Sequence, residues 1–147
     1  MKSMRALIEK RENVVVEETA TVLEATQLMA ARGIGAVPVL KGDRVVGIFT
    51  ERDVMARVVA AGRSPGETVV AEVMSTNLLT GDIEDDHRAC VRRMQQARVR
   101  HLLILEKGSF AGIVSLRDLQ AVELDEQAET LNLLNAYVHD IPIDRVR

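Results

Sequence analysis

The chain has very few aromatic residues and only one cysteine. Phe, Tyr and Trp make up 2% of its 147 residues, although 47% are hydrophobic, so branched and small aliphatic side chains must pack the core. That length suits one globular unit, or two half-size units that share a core. Cys90 alone cannot form an intrachain disulfide, which fits a reducing compartment, and we expect a cytoplasmic protein.

Several partners and chemistries are disfavoured by what is missing. No apolar run reaches the roughly 18 residues of a membrane span, and residues 1–10 contain too short an apolar stretch for a secretory signal. The formal charge of −3, with both signs interspersed, gives no electrostatic case for nucleic acid. The histidines have no metal-type spacing, and no Ser-His-Asp arrangement can be assembled. We therefore expect no membrane, nucleic-acid or metal partner, no catalytic cofactor and no enzymatic activity.

What the chain does contain is an internal repeat. Residues 47–53, GIFTERD, return as residues 112–118, GIVSLRD, at an offset of 65 residues. The same offset aligns the apolar positions of both halves without a gap, for example Ile34 with Val99. Each unit of such a repeat buries its apolar face against its twin, so the pattern predicts two packed copies of one structural unit.

In each copy of this motif an apolar strand runs into a helix, with a hydroxyl residue at the junction. Thr50 is followed three residues later by Asp53, and Ser115 by Asp118, which is the spacing of a capping box. The same junction exposes amide donors and the positive end of the helix dipole, which suit a phosphate. A carboxylate one turn into the helix can also bind two ribose hydroxyls. Capping is the simpler hypothesis for one copy; two equivalent copies favour ligand binding without deciding the matter.

The periodicity of apolar residues predicts the same element order in both halves. A β-α-β-β-α order implies an α/β fold in which mixed sheets are covered by helices. The predicted first half has a lead-in helix 3–9, strand 14–16, helix 21–32, strands 36–40 and 43–49, and helix 51–61. The second half follows a short helical turn at 70–74, with strand 78–80, helix 86–97, strands 101–105 and 109–114, and a helix from 116 that Pro142 ends.

These elements divide the chain into a helical lead-in (1–11), a first repeat (12–62), a linker (63–76), a second repeat (77–122) and a helical extension (123–147). The extension has no counterpart between the repeats. Its apolar residues lie near one helical face and need to be covered, either by this chain or by a second copy. Both possibilities are equally open. The residues of this stripe are Leu124, Ala128, Leu131, Leu134 and Val138.

Two copies of Gly-apolar-x-[Thr/Ser]-x-x-Asp after a β-strand resemble the motif of the cystathionine-β-synthase (CBS) domain. Residues 34–39 look like the second strand of that family, and residues 99–104 resemble its Arg-His-Leu-Pro-Val segment. The resemblance covers about residues 12–122. It implies a stand-alone pair of CBS domains, called a Bateman module, whose repeats pack with pseudo-two-fold symmetry. Such modules commonly pair through helical faces, which implies a homodimer.

The resemblance also implies where a ligand binds, because adenosine nucleotides occupy clefts between the two repeats of this family. The motif aspartates, Asp53 and Asp118, would hold the ribose, and the hydroxyls of Thr50 and Ser115 would lie near phosphate. Arginine can clamp phosphate through two donors, and the candidates are Arg52, Arg117 and Arg100. The adenine walls would come from Val14, Val15, Ala36, Val37 and Pro38 in one copy and from Leu79, Thr80, His101 and Leu102 in the other.

Some of these assignments stay open. Arg52 and Arg117 also fit as ordinary surface residues of the first helical turn. Arg100 and His101 are neighbours on a predicted strand, so only one of them can face a given cleft unless the chain bends there. In the second copy Leu103 replaces the proline of the first, and four acidic residues precede the helix; if they face a cleft, they would repel a polyphosphate. They are Asp82, Glu84, Asp85 and Asp86.

Two functions fit these features. The first is a regulatory module that senses AMP, ADP, ATP, NAD(H) or S-adenosylmethionine and signals to an unidentified effector protein through a change in conformation or oligomeric state. The second is a ligand-independent dimeric scaffold in which the motif residues only cap helices. Neither the identity of the ligand nor the number of occupied clefts follows from the sequence.

Overall fold

The computed structural model describes residues 4–139 and contains two units of the same build. A short helix, α1 (Met4–Glu9), precedes them. The first unit contains β1 (Val16–Glu17), α2 (Val22–Arg32), β2 (Ala36–Lys41), β3 (Arg44–Thr50) and α3 (Glu51–Asp53), which continues as a π-helical segment (Val54–Val59). After α4 (Val70–Val73), the second contains β4 (Thr80–Asp82), α5 (His87–Ala97), β5 (His101–Glu106), β6 (Ser109–Ser115) and α6 (Leu116–His139). The prediction of an α/β fold is confirmed.

Each unit has its own three-stranded mixed sheet. β1 is parallel to β2 and β2 is antiparallel to β3, and β4, β5 and β6 repeat this arrangement. The irregularities match as well, since the β2–β3 ladder shifts register between Val39 and Leu40 and the β5–β6 ladder shifts at the equivalent Ile104 and Leu105. The 65-residue offset therefore describes the backbone as well as the sequence.

Each of the two short helices that precede a unit packs on the other unit. Met4 and Ile8 of α1 are buried in the core of the second unit, whereas Val70 and Val73 of α4 are buried in the core of the first. The offset of the repeat aligns Ile8 with Val73, so the two crossings are equivalent. This exchange ties the units together by apolar burial on both sides.

The glycine of each motif makes the crossings possible. A β-carbon added at Gly47 would lie 2.4 Å from the sulfur of Met74, which follows α4, and one added at Gly112 would lie 2.7 Å from Cδ1 of Ile8 in α1. Both distances are well below van der Waals contact. The motif glycine therefore lets the residues around each crossing helix lie against the opposite unit, next to the motif aspartate.

The two strands that open the units start two residues later than predicted. The prediction placed them at 14–16 and 78–80, and they form at Val16–Glu17 and Thr80–Asp82. The chain reaches each of these strands from a short helix that is buried in the core of the other unit, which explains the late start. Leu79, for example, lines the space between the units, and only its carbonyl joins the sheet, by accepting a hydrogen bond of 3.0 Å from the amide of Leu103.

Two helix predictions also need correction. The helix predicted over 51–61 becomes π-helical at Val54 and ends at Val59, and the helix predicted from 86 begins at His87, with Asp86 in the preceding cap position. The predicted boundaries at Ser3 and Pro142 lie outside the described residues.

α6 extends well past the second unit, as predicted. Leu119 and Val122 near its start are buried, but the residues of its apolar stripe beyond them are exposed, by 65% at Leu124, 59% at Leu131 and 55% at Leu134. Within residues 4–139, therefore, the chain does not cover the stripe. None of the helices in this range combines the length and the apolarity that crossing a membrane requires.

Candidate functional site

The motif forms a capping box in both units, as its spacing predicts. The amide of Asp53 donates to Thr50 Oγ1 at 3.2 Å, and the amide of Thr50 donates to Asp53 Oδ2 at 3.0 Å. In the second unit the amide of Asp118 donates to Ser115 Oγ at 3.0 Å, and the amide of Ser115 donates to Asp118 Oδ2 at 2.7 Å. Capping uses only one carboxylate oxygen in each unit, so the other oxygen is available to a different partner.

That second oxygen has different partners in the two units. Oδ1 of Asp53 accepts a hydrogen bond of 3.0 Å from the hydroxyl of Ser75, which lies just after α4. Both oxygens of Asp118 accept hydrogen bonds from the guanidinium of Arg11, which lies just after α1, at 2.7 Å each. Burial raises the pKa of Asp118, but the hydrogen bonds from Arg11 and Ser115 outweigh burial and hold this pKa below its usual value.

A cleft of about 540 Å³ opens between the two units beside Asp53, and we call it the first cleft. Its volume falls within the range of about 300–1,000 Å³ that is typical of small-molecule sites. The motif of the first unit faces wall segments of the second unit across it, a pairing that the sequence left unspecified. Six predicted site residues line it: Thr50, Arg52 and Asp53 from the first unit, and Leu79, Arg100 and His101 from the second.

Arg100 and His101 both line the first cleft, which answers the question that strand alternation raised. β5 begins at His101, so Arg100 lies before the strand and the alternation of side chains does not apply to the pair. Burial lowers the pKa of His101, although the charges of Asp118 and Glu51 oppose this shift. The shift favours the neutral form of the His101 imidazole.

Arg98 also lines the first cleft and was not predicted as a site residue. It follows α5 in the left-handed conformation, with φ of 56°, where the equivalent residue of the first unit is Gly33, with φ of 63°. A residue with a β-carbon pays about 1–2 kcal/mol for this conformation. The signal was present in the sequence, because helices commonly end at a glycine in this position and the second copy has an arginine instead.

The other predicted residues do not line the first cleft. Val37 and Leu102 are fully buried in the two cores, and Ala36 and Pro38 are buried as well, so these segments can offer a ligand mainly their backbone. The carbonyl of Thr80 accepts a hydrogen bond of 2.7 Å from a guanidinium of the neighbouring helix.

The remaining members of the predicted set belong by repeat symmetry to the region beside Asp118, which we call the second cleft. Val14 and Val15, for example, hold the positions in the first unit that Leu79 and Thr80 hold in the second. Ser115 is half-buried there and Arg117 is exposed on the first turn of α6.

The acidic residues that precede α5 do not line the first cleft either. The carboxylate of Asp85 accepts from the amide of Asp82, and the carboxylate of Asp82 accepts from the amide of Glu84, both at 2.9 Å. These bonds close the turn before the helix. Cys90, one helical turn on, is fully buried, and burial raises the pKa of its thiol.

One polar group outside the clefts has no counterpart in the first unit. His87 Nε2 lies 2.8 Å from Glu123 and 3.6 Å from Glu126 of α6, whereas the equivalent of His87 in the first unit is the fully buried Val22. The exposed guanidinium of Arg88 pairs with both carboxylates, and together with His87 it lowers the pKa of Glu123 to about 2. We interpret the group as an ion-pair network that joins α5 to α6.

Comparison with known proteins supplies the family. The CBS-domain family model matches the chain twice, at residues 6–60 and 70–125. The chain belongs to the CBS-domain family. The CBS domain-containing protein YhcV of Bacillus subtilis is 34% identical to it over 120 residues, which cover 82% of this chain and 85% of the relative. CBS-domain pairs are generally regulatory ligand-binding modules.

Solved structures of CBS-domain proteins have the same architecture. One from Burkholderia ambifaria MC40-6 superposes with a TM-score of 0.76 at 34% identity, over 83% of this chain and 94% of that one. Another, ATU1752 from Agrobacterium tumefaciens, superposes with a TM-score of 0.75 at 29% identity, over 83% and 99% of the two chains. Neither these proteins nor YhcV carries the name of an enzyme.

Proposed function

We propose that this CBS pair is a regulatory module that binds an adenosine-containing nucleotide in the first cleft. The observation that carries the proposal is the meeting of two chemistries across that cleft. The buried carboxylate of Asp53 comes from one repeat, and the guanidiniums of Arg98 and Arg100 come from the other. A molecule with a ribose at one end and a phosphate at the other is complementary to both.

Asp53 is suited to a ribose. The residue is only 5% exposed, and the capping bonds with Thr50 fix its orientation. Its Oδ1 is held by the hydroxyl of Ser75, which can rotate towards another acceptor when a ligand arrives. The two ribose hydroxyls would then donate to a carboxylate that is already in place, and hydrogen bonds to a charged group contribute about 1.5–3 kcal/mol.

The rest of the cleft divides between charge and apolar surface. Arg52, Arg98 and Arg100 outnumber the carboxylates of Glu51 and Asp53, which favours an anionic ligand. Apolar side chains offer contact area for a flat base such as adenine, as small-molecule sites commonly do. They are Ile48, Met55, Leu78, Leu79, Val99 and Leu103.

A ligand in the first cleft would contact both repeats, and this is the basis of signalling. It would favour whichever arrangement of the repeats brings Asp53 and the arginines to the best distance. Such a ligand shifts an equilibrium only by its difference in affinity for the two arrangements. The new arrangement, or a change in oligomeric state that follows it, would be recognised by an effector protein.

The alternative, a ligand-independent scaffold, is supported by the capping boxes alone. Both aspartates cap their helices whether or not a ligand binds. The two proposals differ in one measurable respect, because only the first predicts stabilisation by a nucleotide.

A thermal-shift screen of the nucleotide-stripped protein tests the proposed function. AMP, ADP, ATP, NAD⁺, NADH and S-adenosylmethionine are added one at a time. A ligand that binds only the folded state adds about 2.7 kcal/mol at 100 times its Kd, which is a rise of roughly 5–10 °C in Tm for a chain of this size. A flat result with all six compounds would favour the scaffold.

We also propose that the chain forms a homodimer through α6. Its apolar stripe is exposed over Leu124, Leu131 and Leu134 and continues to Val138, which is 56% exposed. Water-exposed apolar stripes of this length are rare on monomers and typical of helix–helix interfaces.

Charge introduced into the stripe should break this dimer. We expect Leu131→Glu combined with Leu134→Glu to convert it to a monomer, because four carboxylates would meet at one apolar contact. Leu133→Glu is the matched control: Leu133 is 73% exposed but lies two positions from Leu131, towards another side of the helix. Light scattering after size exclusion measures the mass of each variant. A monomeric wild type, or equal loss of the dimer in Leu133→Glu, would contradict the proposed stripe.

A further inference from the structure

The sites beside Asp53 and Asp118 are related by the repeat, but different groups hydrogen-bond to the two aspartates. Asp53 accepts a hydrogen bond from the neutral hydroxyl of Ser75, and Nε of Arg57 lies 3.8 Å from the same oxygen, whereas both oxygens of Asp118 accept hydrogen bonds from the guanidinium of Arg11. The repeat aligns Arg11 with Thr76, so the first cleft has no arginine at the corresponding place. The first cleft therefore serves as an internal reference for what Arg11 changes in the second.

The contact between Arg11 and Asp118 engages both oxygens of the carboxylate. Nη1 donates to Oδ2 and Nη2 donates to Oδ1, each at 2.7 Å, and the amide of Ser115 also donates to Oδ2. Bidentate pairs of this kind are among the strongest hydrogen bonds that proteins make. The two hydroxyls of a ribose would need the same two oxygens. Oδ2 already accepts two hydrogen bonds and Oδ1 accepts one, so Arg11 competes with a ribose for Asp118 in this geometry.

Arg11 is held in place by the helix before it. Met4 and Ile8 of α1 are buried in the core of the second repeat, and Arg5 pairs with Glu84 at 2.6 Å and with Glu106 at 2.8 Å on the same repeat. The amide of Arg11 itself donates to the carbonyl of Ile8. Its guanidinium is thus delivered by an anchored segment, while the side chain remains 42% exposed and free to move into water.

We infer that Arg11 is an intramolecular ligand of Asp118 that keeps the second cleft closed to a ribose-bearing ligand. The chain consequently binds one nucleotide, in the first cleft, and holds a second site in reserve. Release of Arg11 converts the protein from one site to two. This inference rests on the proposed function of the first cleft, since it assumes that a motif aspartate binds ribose.

Binding stoichiometry tests the inference. Isothermal titration calorimetry is run on the full chain with each of the six compounds of the thermal-shift screen as the probe. We expect one equivalent per chain for the wild type and two for Arg11→Ala. The double variant Arg11→Ala with Asp118→Ala should return to one, which locates the added site. Arg63→Ala, which removes an arginine that pairs with Glu72 in the linker, should keep one equivalent.

The outcomes separate the two proposals. Two equivalents in the wild type, or one equivalent in Arg11→Ala, would overturn the closure by Arg11 and leave the first cleft as a ligand site. A fall from two equivalents to one in Arg11→Ala would show the opposite role, in which Arg11 helps to bind the phosphate. Binding of none of the compounds by either protein would refute the proposed function, and the closure with it.

Discussion

Asp53→Ala is expected to abolish stabilisation by nucleotide, whereas Asp118→Ala should leave it intact. Both substitutions remove the same capping interaction, which costs about 0.5–2 kcal/mol in either unit. Only Asp53 lines the first cleft, while Asp118 is engaged by Arg11. The pair of variants therefore separates the loss of a ligand contact from the loss of a helix cap.

The measurement is the rise in Tm with the compound that stabilises the wild type most, at 100 times its Kd. The wild type and Asp118→Ala should both gain about 2.7 kcal/mol, and Asp53→Ala should gain nothing although it still folds. Asp118→Ala leaves Arg11 without its partner, but that side chain is partly exposed and can be hydrated. If Asp53→Ala kept the full rise in Tm, the ligand would have to bind elsewhere.

Much of the fold could be predicted because the chain repeats itself. The period of the apolar residues predicted the strands and helices of one unit, and the 65-residue offset transferred that order to the other. The errors fall where tertiary structure overrides local pattern. Val14 and Leu79 fall within the predicted strands, but β1 and β4 begin only after them, where the chain has just left a helix that packs on the opposite unit.

Individual residues of the site could be predicted, but not which segments of the two units face each other across the cleft. The capping boxes follow from spacing alone, since Thr50 and Asp53 are neighbours in sequence. Which wall faces Asp53 depends on how α1 and α4 exchange between the units, and no local signal encodes this. The same exchange brings Arg11 to Asp118 across 107 residues of sequence.

Arg98 is a different case, because its local sequence signal allows two interpretations. An arginine where the repeat aligns a glycine means either tolerated strain or a use for the side chain. The position becomes interpretable only when the guanidinium is seen to line the first cleft. A strained residue at a ligand site suggests that stability has been exchanged for affinity, and this can be measured.

Arg98→Gly should stabilise the free protein and weaken nucleotide binding at the same time. Glycine adopts φ of 56° without the cost of about 1–2 kcal/mol. It also has more conformational freedom in the unfolded chain, which lowers the stability of the folded protein by about 0.5–1 kcal/mol. A net gain of between zero and about 1.5 kcal/mol is expected in urea unfolding. The lost guanidinium should raise the Kd for AMP or ATP by about tenfold or more, since a hydrogen bond to a charged group contributes about 1.5–3 kcal/mol.

The chain offers a matched control for this experiment. Lys107 has φ of 51° in the turn between β5 and β6, and the repeat aligns it with Gly42, with φ of 62°. Lys107 is not among the residues that line the first cleft. Lys107→Gly should therefore give a similar gain in stability with no change in Kd.

Adenosine, which lacks phosphate, should bind wild type and Arg98→Gly equally well. If Arg98→Gly weakened adenosine as much as AMP, the guanidinium would be shaping the cleft rather than binding phosphate, and an unchanged Kd for both would remove Arg98 from the site.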